Sequence, residues 1–442
     1  MVRANKQRNW LKNAFSIDES TFPEEQLQAV RDYWSKMSGG RFEVDPIYCQ
    51  FYTQATGKFD PRYIPDDFQY WVLEAMYLKN DYNYWRALSE KNYLDLVLKG
   101  IKLPETLLHC INGEFLDAGY RPLTKEEALE ALRAESPNGF IKKISVASCG
   151  GAGVSFAEPG NNDPASFLSV YDGKYYIIQK LIHQHPDMAV FNESSVNSIR
   201  ILSLRRNGTV YIVSTVVRMG SAGSRVDNFS SGGACCGIAA DGTIKDCVYD
   251  AKGNKLDGLP SGAEVSGKKL PAYDKICEQV KLLHNRFPQF GIISWDFAVD
   301  ELGDPVLLEY NVGRGGIHVH QLCNGPLYGD MTELLLNEAF GISEPSDEVA
   351  DLVVLSAGLN TEGFPYLTWR AFPGVKQYEI YRGIGKDGPM TKMFTTEKTS
   401  YTNLAFEKTE GETLLRFRIY GVSEDGFYIP KACSQNIEFI VK

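Results

Sequence analysis

Apolar positions recur along this chain with changing periods. In EEQLQAVRDYWSKM and DDFQYWVLEAMYL they fall three and four apart, the spacing of one buried helix face, and residues 1–125 read as mainly helical. The aromatic residues of that region (Tyr70, Trp71, Tyr77, Tyr82, Tyr84, Trp85) are expected in a core. From residue 126 helix and strand patterns alternate. KEEALEALRAE is a short amphipathic helix with Thr124 as its N-cap. GFIKKISVA and KYYIIQKLI read as strands, and VNSIRILSLRR and TVYIVSTVVRMG as a hairpin turning at Asn207 and Gly208. AYDKICEQVKLLHNRF is a second amphipathic helix. It leads into two apolar strands over 291–316, GIISWDFAVDELGDPVLLEYNVGRGG, with their turn at 301–304. After Phe340 a stretch with Gly, Pro, Ser and acidic residues reads as a linker, and 352–442 holds only short strand patterns. The order is α+β, without the regular βαβ repeat of a Rossmann fold. Three regions are predicted: 1–125 helical, with its end contributing to the next core, then 126–345 mixed and 352–442 all-β.

Composition narrows the function. At 442 residues the chain exceeds one ordinary core. A formal net charge of -10 argues against a general nucleic-acid binder, yet it leaves room for a local basic pocket. Nine cysteines without CxxC spacing predict reduced thiols. The N-terminus lacks the apolar run of a signal peptide, and no apolar run is long enough for a membrane span, so a cytoplasmic location is expected.

The hairpin at 291–316 carries the main chemical signal. Strand side chains alternate faces, so Glu309 and Asn311 point the same way, with Asp296 beside them on the neighbouring strand. Two carboxylates and an amide oxygen suit Mg²⁺, although a half-buried hairpin with a polar wet face would show the same residues. His183 with His185 and His318 with His320 are same-face pairs if extended, which a zinc site could use, but loop histidines near phosphate or substrate are the better reading. Cys235 and Cys236 have no evident base and read as small strand residues; Ser230 and Ser231 lack a nucleophile elbow.

Taken in order, the motifs from Lys91 to Gly316 resemble an ATP-grasp domain, and are most similar to the sugar-transfer-associated ATP-grasp group. Asp296, Glu309 and Asn311 match the family's metal-binding strands. Arg200, Arg218, Asn228 and the glycines at 232 and 233 resemble the series of the glutamate-ligase branch, with SVNSIR and VDNFSSGG pointing to the sugar-associated group. FIKKISVASCGGAGV resembles the lysine strand and glycine-rich lid, which brings in Lys143 (adjacent to Lys142), Gly150, Gly151 and Gly153. LSEKNYL supplies Lys91, and the hinge Gln179, Lys180, Leu181 and Ile182 would receive adenine through backbone groups. The resemblance implies ATP and Mg²⁺ as cofactors. Lys91, Lys143, Arg200 and Arg218 would face the triphosphate, and Arg218, Asn228 and Arg314 would act on the acyl group and its carboxylate. It further implies a carboxylate–amine ligase acting on small-molecule substrates, saccharide-linked in this group. A phosphotransferase or a non-catalytic nucleotide-binding adaptor are the alternatives. Leu367, Trp369, YEIYR, Tyr401 and RFRIYGVSEDG resemble a fibronectin type III sandwich with Trp369 in its core.

Overall fold

The computed structural model describes residues 11, 17–40, 42–77, 82–145, 153–160, 163–168, 175–206, 208–227, 232–250, 252–259, 261–313, 315–340, 351–386, 390–404, 406, 411–422 and 428–441. The chain divides into two compact units, Met1–Thr21 with Ile47–Gly329 and Phe22–Pro46 with Asp330–Lys442.

The second unit contains helices α1 (Glu24–Ser38) and α7 (Thr332–Phe340), which pack on each other. Two antiparallel sheets complete it. One is built from Val354–Leu359, Pro365–Trp369 and Ser400–Thr402, the other from Gln377–Ile384, Thr391–Thr396, Thr413–Val422, Tyr428–Cys433 and Ile437–Val441. Their shared core holds Leu367, Trp369, Tyr378, Ile380, Leu415 and Phe417. This is the all-β sandwich expected of this part, and Trp369 is 2% exposed.

The first unit opens with α2 (Ile47–Thr56), a π-type helical turn over Phe68–Tyr77, and α3 (Tyr82–Leu88). Tyr84 is 56% exposed, so the aromatic stripe is not uniformly core; Trp85 packs against the main core. The helical reading also stops short of residue 125. Strands β1 (Thr106–Ile111), β2 (Glu114–Leu116) and β3 (Pro122–Leu123) occupy its last part. Their turn lies at Asn112 and Gly113, both with positive φ (52 and 85), as a two-residue hairpin turn demands. That Asn-Gly pair was the available signal. These strands join β4 (Phe140–Ile144), β5 (Ser155–Ala157) and β6 (Tyr176–Lys180) in a six-stranded sheet, ordered β3-β2-β1-β6-β4-β5. Helix α4 (Lys125–Glu135) covers it. Thr124 accepts from the Glu127 amide while the Glu127 carboxylate accepts from the Thr124 amide, a full capping box.

The second, seven-stranded sheet comprises β7 (Ser198–Arg206), β8 (Thr209–Met219), β9 (Ala234–Ile238), β10 (Ile244–Asp250), β11 (Lys255–Leu256), β12 (Ile292–Val299) and β13 (Pro305–Asn311), ordered β11-β10-β9-β8-β7-β12-β13. Alternation divides its faces. Ile199, Ile201, Val217, Ile293, Trp295 and Phe297 join α5 (Tyr273–Arg286) in the main core. Arg200, Ser214, Arg218, Ser294 and Asp296 point to the opposite face, where α6 (His318–Asn324) packs over β8 and β9. Gly237 permits that approach, since a Cβ there would stand 2.5 Å from Asn324 Oδ1.

Candidate active site

The register of β12 and β13 builds the site. Asp296 stands opposite Glu309 and Ser294 opposite Asn311, whereas the neighbouring Phe297 faces Leu307. Leu308 is therefore the extra residue of a β-bulge. Simple alternation would place Glu309 on the core face with Leu307; the bulge returns Glu309 and Asn311 to the face of Asp296.

Across the ladder, Asp296 also faces Arg200 on β7. Arg200 grips it bidentately, Nε to Oδ1 at 2.7 Å and Nη2 to Oδ2 at 2.6 Å, and its Nη1 donates to the Gly315 carbonyl at 3.3 Å. Arg218 lies 3.4 Å from the same Asp296 Oδ2, donates to Ser198 Oγ at 2.8 Å, and approaches Asp227 Oδ2 at 3.3 Å. Lys91 Nζ is 3.0 Å from Glu309 Oε2. Burial works to raise both carboxyls, but Arg200 and Arg218 hold Asp296, and Lys91 holds Glu309, below the usual carboxylate range.

The adjacent lysines of β4 diverge. Lys142 Nζ donates to the Phe167 carbonyl at 2.8 Å and lies 4.0 Å above the Tyr176 ring, away from the hairpin. The Lys143 side chain makes no hydrogen bond or ion pair among the described residues. Burial first, then the nearby Lys91 charge, push it down to about 8. Gly153 (φ 73) packs so tightly that a Cβ would fall 2.1 Å from Ile144 Cδ1. Gln179 turns its side chain to the Pro104 carbonyl, 3.3 Å away, and Lys180 pairs with Glu105. Leu181 and Ile182 follow the last paired residue of β6, and their backbone makes no hydrogen bond among the described residues. Asn228, Arg314, Gly150 and Gly151 lie outside the described residues.

The structure thus brings Arg218, Arg200, Asp296, and Glu309 with Asn311 together on four adjacent strands, β8, β7, β12 and β13, with Lys91 paired to Glu309 and Lys143 within electrostatic reach of Lys91 and Glu309. The sequence reading missed Asp227, Ser198 and Ser294. Asp227 lay inside the VDNFSSGG motif, where its acidic side chain next to arginines was the usable signal. The histidine pair at 318 and 320 is helical rather than extended, and the two rings diverge. His318 Nε2 is 2.7 Å from Asp66, while His320 Nδ1 is 2.9 Å from Ser214 Oγ. Among the described residues no three His, Cys, Asp or Glu side chains are grouped to hold a metal. The described cysteines are free, and no helix among the described residues is long and apolar enough to cross a membrane.

The family described as sugar-transfer associated ATP-grasp matches residues 76–331, more than half of the chain. The chain belongs to that family. The match covers the acid–cation face, from the segment of Lys91 to the hairpin and α6. No curated protein matches the chain. Among solved structures, D-alanyl-alanine synthetase A from Vibrio cholerae O1 biovar eltor is 10% identical, over 58% of this chain and 65% of its own, with a TM-score of 0.35. The ATP-grasp ligase PsnB, complexed with precursor peptide PsnA2 and AMPPNP, is 13% identical over 60% of this chain and 61% of its own, with a TM-score of 0.32. A Fn3-like protein from Clostridium thermocellum is 28% identical over 21% of this chain and 88% of its own, with a TM-score of 0.16. These TM-scores are low, and membership of the ATP-grasp family rests on the family match, not on them.

Proposed function

We propose that this chain is an ATP- and Mg²⁺-dependent carboxylate–amine ligase working through an acyl phosphate. Its product would be a saccharide or saccharide precursor carrying an amino-acid-like unit, made in the cytoplasm. One observation carries the reading: Asp296 and Glu309 stand side by side on one face with Lys91, Arg200 and Arg218 paired to them, and Lys143 is close by. The saccharide rests only on the family's association with sugar transfer.

The donor set fits Mg²⁺. Glu309 and Asn311 offer hard oxygens beside Asp296, and Glu309, whose side chain is 34% exposed, reaches solvent. Glu309, Asn311 and Asp296 would hold the ion, which when bound supplies charge neutralisation to the phosphoryl oxygens. Lys143 would meet the phosphates as a point charge, and the backbone of Leu181 and Ile182 would meet the adenine edge. In the first step a substrate carboxylate oxygen bonds to the γ-phosphorus and the bond to the β-phosphate oxygen breaks, releasing ADP. In the second the amine nitrogen bonds to the acyl carbon and phosphate leaves, with one amine proton lost. Arg200 and Arg218 are fixed by Asp296, Ser198 and Asp227, so they present charge to the developing oxyanion without reorganising.

ADP release screened against panels of carboxylates, amines and sugars tests the proposal. With a productive carboxylate, hydroxylamine in place of the amine should yield a hydroxamate. A stable phosphoester on a hydroxyl acceptor, with no hydroxamate from any carboxylate, would identify a phosphotransferase instead.

A further inference from the structure

His320 is buried (1% exposed) on α6, which packs over β8, the strand of Ser214 and Arg218. Its Nδ1 lies 2.9 Å from Ser214 Oγ, and that oxygen accepts from Asn324 Nδ2 at 2.8 Å. Asn324 Nδ2 is itself held by the Thr215 carbonyl at 2.9 Å. A hydroxyl has one proton to donate, and among the described residues the acceptor within reach of Ser214 is His320 Nδ1. The neutral ring then carries its own proton on Nε2.

That Nε2 is buried and has no partner among the described residues. It belongs to the acid–cation face. Ser214 pairs with Leu202, two residues along β7 from Arg200, and the charges acting on the ring are those of Arg200, Asp296 and Arg218. A second buried group is in the same condition. Ser294 Oγ, in a residue 1% exposed and two residues along β12 from Asp296 on the same face, has no partner among the described residues. It packs at Gly315, whose carbonyl Arg200 holds. A buried donor left unpaired is unfavourable, and two of them beside two arginines are what an anionic oxygen would satisfy.

We propose that His320 Nε2–H donates a hydrogen bond to an anionic substrate oxygen held with Arg200 and Arg218, assisted by Ser294 Oγ–H. On the ligase reading this oxygen belongs either to the transferring phosphoryl group or to the substrate carboxylate. Both present the same chemistry to the ring.

Selective ¹⁵N-histidine labelling of the full chain, with its six histidines assigned through variants, reads the ring directly. The unliganded protein should show His320 protonated on Nε2. The Nε2 signal should then shift on adding Mg²⁺–AMPPNP, if the oxygen is phosphoryl, or on adding acetate to the Mg²⁺–ADP form, if it is a carboxylate. A proton on Nδ1, or an Nε2 signal that responds to neither probe, overturns the proposal. Both readouts are independent of turnover. A failed screen for carboxylate-dependent ADP release would therefore sink the ligase reading without deciding the role of His320. In a productive assay the variants separate donation from support. His320→Gln keeps a donor near Nε2 and should remain within about tenfold of the wild type. His320→Asn, which keeps only the group near Nδ1, should lose about 100- to 1,000-fold in kcat. The opposite order would make His320 a support for Ser214 and nothing more.

Discussion

At the scale of single residues, neighbouring groups of the same type carry different roles because alternation turns them to different faces. Lys143→Ala should weaken Mg²⁺–AMPPNP binding by about 10- to 100-fold, the worth of one charge-assisted contact, and added salt should reproduce part of the loss. Lys142→Ala should leave that affinity nearly unchanged. It should instead lower stability by about 1–3 kcal/mol, since the Phe167 carbonyl loses its donor. Calorimetric titration and urea melts of both variants separate the outcomes; a larger affinity loss in Lys142→Ala would reverse the assignment. The two carboxylates share a face but differ in exposure. Glu309→Gln removes a partly exposed charge and should reduce turnover about 100- to 1,000-fold with the fold intact, and Asn311→Leu should act in the same direction. Asp296→Asn is the poorer probe, because it strips the buried Arg200 of its counter-charge. It should cost about 3–5 kcal/mol in a denaturant melt.

At the scale of elements, the hairpin of β12 and β13 is anchored from below. Trp295 Nε1 donates to Ser203 Oγ at 2.8 Å, Ser203 Oγ meets His284 Nδ1 at 2.8 Å, and His284 Nε2 meets the Phe290 carbonyl at 2.9 Å. This chain ties α5 to β7 and β12. Burial pushes His284 down to about 4. Its folded pKa thus lies below the unfolded value near 6.5, so the unfolded chain binds the proton first as pH falls. The associated stability, about 3 kcal/mol, should be fully present above pH ~6.5 and disappear as pH drops towards about 4. His284→Gln should flatten that part of the stability–pH curve. An unchanged slope would mean that the ring is already charged in the folded protein.

At the scale of the molecule, every proposed nucleotide or metal ligand lies in the first unit, while the β sandwich belongs to the second. Trp369→Ala should remove about 3–5 kcal/mol from the sandwich, a large part of the stability of a small domain, yet leave Mg²⁺–AMPPNP affinity within about twofold. A chain ending near residue 346 should bind the same nucleotide. Loss of binding in both would show that the sandwich supports the site.

Local patterns were enough to read the amphipathic helices, the Thr124 cap, the hairpin strands and the buried Trp369, because each follows from spacing or from a side chain bonding to its own backbone within a few residues. The candidate site residues stood in the sequence as an ordered series of motifs. Pairing was not legible there. Which carboxylate each cation meets, the role of Asp227, and the divergence of His318 from His320 depend on contacts between segments far apart in sequence. The bulge at Leu308 is the sharpest case. One extra residue reverses the face of everything beyond it, and only pairing with β12 reveals that Glu309 faces Asp296 and not the core.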